Sequence, residues 1–300
     1  MTLYDPALRY FLAVYETRSV NAAARRLFVA GSAVSRQVAR LEKEVGAPLF
    51  ERLPTGVVPT EAGHAFAGFA RRVIQDAGQI VDEIHERRSA DTLISLAASS
   101  GIGHEFLPRV AADHRREHPG VRFEMHVTEP LAATHMVRDG AADIAVTFNI
   151  AIERGVRIVY STPAPVRAVV RPDHELAGRA SVSLADVCRY PLVMNPPHTT
   201  NRRLVDVLSA SDGVRIEPAF VCENPDAMVR FVVRGDAVGL IGMISVAADV
   251  GAGSVVAIPL RDKELRQRTL QVQTQAGRHL PAPVQDFCDV LVSALEASEV

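Results

Sequence analysis

Ser32, Ser35, Arg36 and Gln37 crowd the start of the stretch SAVSRQVARLEKEVG, Ser32 to Gly46. Hydroxyls, a guanidinium and a carboxamide are the groups that read nucleic acid. Arg donates to guanine or phosphate, Gln pairs with adenine, and Ser suits either base edges or phosphate. Val34, Val38, Leu41 and Val45 recur at steps of four, three and four, which at about 100° per residue forms one apolar stripe on a helix. Arg36, Arg40 and Lys43 lie opposite, and Gly46 suits the left-handed C-cap. The stripe is expected to face a core and the other side DNA, with Arg40 and Lys43 further along, in solvent or near phosphate.

Other chemistry is weakly represented. His114 and His118 sit at i, i+4, a possible metal pair, but there is no HExxH and no third ligand, so exposed helix histidines are the expectation. There is no GxSxG elbow and no GxxxxGK[ST] loop, and SSGIG lacks dinucleotide spacing. No catalytic, metal or cofactor site is expected. Net charge is −2 and the pI is 6.6, so a DNA-binding reading rests on the local motif. Three cysteines, Cys188, Cys222 and Cys288, without close spacing read as buried thiols of a cytoplasmic protein. The start, MTLYDPALRYF, lacks the apolar region of a signal peptide. Ala237 to Leu260 is broken by Asp249 and four glycines, and reads as strand and loop rather than a membrane span.

The elements around the reading helix follow from their own patterns. Leu8, Phe11, Leu12 and Tyr15 mark a first helix. Ser19 caps a second, SVNAAARRLF, with Ala22, Ala23 and Leu27 on its apolar side, and Val29-Ala30-Gly31 forms the break. Two short helices, a tight turn and an amphipathic third are the helix-turn-helix plan, whose last helix enters the major groove by its N-terminal residues, here Ser32, Ala33, Ser35 and Arg36. Leu49 and Phe50 read as core. The Pro-Thr-Gly turn at 54–56 reads as the tip of a hairpin wing, placing Arg52 near flanking backbone. Thr60 caps a long helix in which Phe66, Ala70, Val73, Ala77, Ile80 and Ile84 form a heptad seam. Its simplest partner is its own copy, and a dimer presents two reading helices to two half-sites of a palindrome.

SVNAAARRLFVAGSAVSRQVARLEKEVGAPLFERLPTGVVPTEAG resembles the N-terminal signature of the LysR-type transcriptional regulators. The small-residue run, the SRQ-x-x-x-LE core, PLFER and the T-x-AG start of the linker helix stand at the family's spacing. The resemblance implies DNA binding through Ser32, Ala33, Ser35, Arg36, Gln37, Arg40, Arg52 and Thr60. It also implies a dimer or tetramer and an operator with imperfect dyad symmetry. Two departures bear on the operator: Ala30-Gly31 stands where the family often has Ser-Gln, so that base contact is expected to be missing, and the wing is poor in Arg and Lys.

Beyond the polar hinge Glu86–Asp91, strand-like stretches alternate with helical ones. TLISLAA, VRFEMHV, DIAVTF, VRIVYST, VRAVVRP, PLVMN, AFVCE, AVGLIGM, VVAIPL and TLQVQTQ read as strands of an α/β chain with mostly parallel sheets. PDHELA, AADIAV and GDAVGL extend the resemblance to the family's two-lobed α/β effector domain, akin to periplasmic binding proteins. The expected domains are a winged helix-turn-helix over 1–59, a linker helix and hinge over 60–90, and an effector domain over 91–300. Lobe I is expected over about 92–163 and 269–300, lobe II over about 164–268. A ligand in such a fold lies between the lobes, at strand C-termini and helix N-termini. The candidates are Ser99, Ser100, Thr147, Asn149, Asn195, His198, Thr199, Glu223 and Met243, with Thr200 beside Thr199. Serines and amides suit a carboxylate, and Glu223, if inward, an amine and hence an amino acid. The reading is a regulator, not an enzyme and not a membrane protein, whose arrangement on DNA shifts with a small-molecule effector. The rival is a solute-binding or enzymatic α/β domain whose N-terminal helices serve only assembly.

Overall fold

The computed structural model describes residues 5–53, 56–84, 92–151, 153–211, 213 and 216–298. The wing tip at Pro54-Thr55 and the hinge at Glu86–Asp91 lie outside them, as does the side chain of Ile84. The chain divides into two compact units, residues 1–90 with 138–141, and the remainder.

The first unit opens with α1 (Pro6–Thr17), α2 (Val20–Leu27) and α3 (Gly31–Val45). Asp5 caps α1 by accepting from the Ala7 amide at 2.9 Å, and Ser19 caps α2 by accepting from Ala22 at 3.3 Å. The break is shifted from the expected one. Phe28 closes α2 in the left-handed region at φ 55°, and Gly31 is already helical. A hairpin follows, β1 (Phe50–Leu53) against antiparallel β2 (Gly56–Pro59), and then α4 (Glu61–Ile84). Phe11 organises the core: its ring meets Phe66 edge-on at 4.9 Å and Phe50 at 5.2 Å, with Leu8, Leu41 and Leu49 buried around it. A second cluster joins Val14, Ala23, Ala24, Val34 and Val38.

Three expectations need correcting here. Val45 is exposed, because the α3 stripe leaves the core after Leu41. On α2 it is Ala24, with Ala23, that is buried, and Ala22 is half-buried. The α4 seam is not one continuous outward face. Ala70 is buried and Phe66 and Val73 pack into the α1 core of the same chain, whereas Ile80 is 50% exposed. The first part of the heptad pattern therefore serves the chain's own α1 core.

The second unit holds two five-stranded sheets. The first comprises β3 (Thr92–Ala98), β4 (Val121–Val127), β5 (Ile144–Asn149), β6 (Val156–Pro163) and β12 (Thr269–Gln275), in the order β4-β3-β5-β12-β6. The second comprises β7 (Val166–Val170), β8 (Leu192–Met194), β9 (Phe220–Val221), β10 (Val238–Gly242) and β11 (Val256–Pro259), in the order β11-β7-β10-β8-β9. All ten strand stretches read from the sequence are strands. The sheets are mixed rather than mostly parallel: β4/β3/β5 and β9/β8/β10 run parallel, and β12 and β7 lie antiparallel to both their neighbours. The reason is that the chain crosses between sheets twice, so β7 and β12 enter their sheets from the far side.

Helices α5 (Ser100–Gly103), α6 (Phe106–Glu117) and α7 (Pro130–Arg138) belong to the first sheet, joined by the C-terminal α12 (Ala282–Glu296). The second sheet carries α8 (Leu184–Val187), α9 (Thr200–Ser211), α10 (Pro225–Arg234) and α11 (Ala247–Gly251). Phe287, Cys288 and Leu291 of α12 meet Leu107 and Val110 of α6 over Ile94, Leu96 and Val146. All three cysteines are free. Among the described residues no helix is long and apolar enough to cross a membrane, and no cluster of His, Cys, Asp or Glu is arranged to hold a metal ion.

His114 is not the exposed histidine expected. It is 4% exposed, edge-on to Phe287 at 5.2 Å and stacked on His118 at 4.4 Å. Burial pushes its pKa below the ordinary histidine value, and the neighbouring His118 adds to the shift. A depressed folded-state pKa means that the unfolded chain binds the proton more tightly. The His114 contribution is thus complete above the unfolded pKa, begins to be lost as pH falls past about 6.5, and is gone below the folded value. Urea melts across this range are expected to show stability falling toward acid, with the slope reduced in His114→Phe. An unchanged slope would place the titration elsewhere.

Candidate functional site: a reading helix and a polar cleft

The reading face is what remains of α3 once its fold duties are counted. Ser32 and Arg36 are exposed, and Ala33 and Ser35 are half-buried beside them. Arg40 is taken up instead, paired with Asp5 and, at 3.4 Å, with Glu44. Asp5 therefore both caps α1 and holds α3. The Gln37 amide oxygen is turned inward and buried, without a partner among the described residues. Arg52 is exposed on the wing, opposite Val57. Thr60 is committed to the fold: its hydroxyl donates to the Pro48 carbonyl at 2.7 Å and accepts from the Gly63 amide at 3.0 Å.

Two motif residues explain themselves in the same way. Glu42 accepts from the Leu49 and Phe50 amides at 2.8 and 3.1 Å, fixing the chain between α3 and the wing. Gly63 must lack a side chain, since a Cβ there would lie 2.1 Å from the Leu49 carbonyl. At the turn, Phe28 is 95% exposed in a backbone region that bulky residues avoid.

In the second unit a cleft of about 50 Å³ opens between the sheets. Five candidates line it: Ser99, Ser100, Asn195, Thr199 and Glu223. Hydroxyls cross it. Thr200 donates to the Phe148 carbonyl at 2.9 Å, Ser245 to Gly101 at 2.7 Å, and Ser100 to Glu223 at 2.5 Å. Asn201 donates to Asn195 at 3.0 Å and to the Leu240 carbonyl at 2.7 Å.

Four candidates fall elsewhere. Thr147 and Asn149 end β5, but strand alternation turns them to the opposite face, where the Asn149 amide donates to Gln271 at 3.2 Å. Phe148, between them, faces the cleft. His198 stands outside the lining, with Nε2 3.2 Å from the Glu223 carboxylate and 4.0 Å from Glu129. Met243 lines a separate groove with Phe106 and Arg109.

Thr200, expected beside Thr199 after the PLVMN strand, lines the cleft too, whereas Thr128, Asn201, Ser245 and Arg268 line it without having been singled out as site residues. Thr128 and Ser245 follow strand ends, so the rule that found Ser99 reaches them too. Arg268 carries no such signal. It precedes β12, is 4% exposed, and lies with its guanidinium 4.1 Å from the Phe148 ring centroid. Its Nε donates to the Ala164 carbonyl at 2.8 Å, and its Nη2 is buried without a partner among the described residues. Burial pulls its pKa down to about 9. Gly242 leaves room for it, since a Cβ there would lie 2.2 Å from Nη2.

A winged helix-turn-helix followed by two mixed sheets around a polar cleft defines a ligand-responsive DNA-binding regulator. Comparison with known proteins agrees. Residues 6–64 match the bacterial regulatory helix-turn-helix protein, lysR family, and residues 87–296 match the LysR substrate binding domain. The chain belongs to the LysR family of transcriptional regulators. It is 22% identical over 295 residues to a probable RuBisCO transcriptional regulator of Cyanidioschyzon merolae, covering 95% of this chain and 96% of the relative. It is 25% identical over 276 residues to the RuBisCO operon transcriptional regulator of Allochromatium vinosum, covering 92% and 91%. The fold is that of a full-length OxyR variant from Pseudomonas aeruginosa, with a TM-score of 0.73, 19% identity, and 99% and 95% of the two chains covered. CbnR complexed with its target DNA gives a TM-score of 0.52 at 22% identity, covering 96% and 98%. DNA, a small-molecule effector and further copies of the chain are the partners of this class of regulator.

Phe28→Gly is expected to stabilise the first unit, since glycine removes a left-handed strain of about 1 kcal/mol. Urea denaturation reads the change, and a loss of stability would show that the exposed ring has a role in the fold.

Proposed function

We propose that the chain reads an operator of imperfect dyad symmetry through Ser32, Ala33, Ser35 and Arg36, with Arg52 of the wing on flanking backbone. Arg36 is the observation that carries this reading. It is the exposed guanidinium on the first turns of α3, with no ion pair among the described residues, in contrast to Arg40. The division into a DNA-binding domain over 1–59, a linker over 60–90 and an effector domain over 91–300 belongs to the same proposal. So does self-association through the outer part of α4, where Ile80 is exposed.

The effector, a carboxylate or an amino acid, binds between the two sheets and changes how the reading helices are presented. Ser99, Ser100, Asn195 and Thr199 support this, all polar and all on one cleft. An effector shifts the arrangement only by its difference in affinity for two states. The protein acts in the cytoplasm as a regulator and catalyses no reaction.

The test is binding to the duplex just upstream of its own gene, against a scrambled duplex, across salt concentrations. Tighter binding to the native duplex is expected, with Arg36→Ala losing about 1–3 kcal/mol and relaxing the preference. Equal, steeply salt-dependent binding of both duplexes would reduce the contact to phosphate alone and contradict the reading.

A further inference from the structure

We propose that the cleft binds one compact planar monoanion, a small carboxylate in the first instance, on the free edge of the Arg268 guanidinium. This rests on the effector reading above and narrows it by charge and size.

Arg268 is 4% exposed, and no carboxylate pairs with it among the described residues. Its Nε is spent on Ala164, one ring face on Phe148, and Nη2 on nothing. Its pKa of about 9 leaves it protonated at neutral pH. A buried charge without a partner is costly, and a planar oxyanion meeting the guanidinium edge is the partner that removes the cost.

Gly242 lets the guanidinium lie against its backbone at the cleft wall, since a Cβ there would sit 2.2 Å from Nη2. Thr200 and Asn201, the first residues of the twelve-residue α9, line the same cleft and aim a helix N-terminus toward negative charge.

Glu223 lines the cleft too, but its carboxylate lies 3.2 Å from His198 and makes no ion pair with Arg268 among the described residues. The cleft therefore offers a ligand one unpaired guanidinium, which a single oxyanion answers. A volume of about 50 Å³ is a few water-sized spaces, which suits formate, acetate, nitrate or bicarbonate.

Position makes the site regulatory. The two segments that pass between the sheets are tied to each other here: the Ala164 amide donates to the Arg268 carbonyl at 2.8 Å, and Arg268 Nε donates back to the Ala164 carbonyl. An anion on Nη2 therefore bears on the crossing that sets the two sheets' arrangement.

The experiment is thermal unfolding of the full chain with sodium formate, acetate, nitrate or bicarbonate, with sodium chloride at equal ionic strength, and with acetamide. Acetamide has the shape of acetate without its charge, so the decisive comparison needs no variant. The expected result is a rise in Tm of about 3–6 °C for each tenfold excess of planar anion over its Kd. Acetamide and chloride should give no rise, and Arg268→Met should abolish it. Which anion acts at the lowest concentration identifies the source within the class. A matching rise with acetamide, lost in Thr199→Val, would overturn the charge assignment and leave the effector reading standing. A rise that survives both Arg268→Met and Thr199→Val would place binding outside the cleft and overturn both. No rise with any of the four anions would overturn the inference, leaving the effector reading to other compounds.

Discussion

The second unit depends on the tie between Ala164 and Arg268. The chain leaves the first sheet after β6 and returns to it at β12, and these two passages meet in a reciprocal pair of hydrogen bonds. The same arginine reaches from that crossing into the cleft. One side chain thus joins the connection between the sheets to the surface where a ligand would sit. A site that sensed occupancy but lay away from the crossing would need a longer chain of contacts to move the sheets. Here the contact is direct, and Phe148 under the guanidinium belongs to the core of the first sheet. Burial without a counter-ion is costly, and that cost is understandable if occupancy of the cleft is the regulated variable.

In the first unit most of the recognisable motif holds the domain together, and a smaller part is left for DNA. Glu42 stitches the chain after α3, Thr60 caps α4, Gly63 lets α4 approach Leu49, and Asp5 holds Arg40. Ser32, Ser35 and Arg36 are the residues not so engaged. A family signature is therefore a poor guide to which of its residues touch bases, because buried hydrogen-bonding duties are as exacting as base contacts.

Strand positions were legible because β-branched runs with turn residues between them have few other readings, as in TLISLAA and TLQVQTQ. Pairing direction was not, since β12 joins β5 across 119 residues of intervening chain and nothing local records which way it enters. Strand ends located Ser99 and Ser100 in the cleft but misplaced Thr147 and Asn149, where a parity of two decides the face and Phe148 takes the cleft. The α4 periodicity located an apolar stripe without showing that α1 covers its first part. His114 looked like half of an exposed pair because the helix that buries it, α12, comes some 170 residues later. Arg268 had no local mark: Arg261 and Arg266 precede it in the same loop, and only the crossing geometry separates them.

The central claim is that occupancy of the cleft controls how the protein lies on DNA. The most direct measurement is hydroxyl-radical footprinting of the full chain on its upstream duplex, with acetate, with acetamide and with neither. The account predicts that acetate moves the footprint boundaries or the pattern of enhanced cleavage between half-sites. Acetamide should leave the footprint as it is without ligand. A footprint identical in all three, at an acetate concentration where the thermal shift shows the cleft filled, would contradict it.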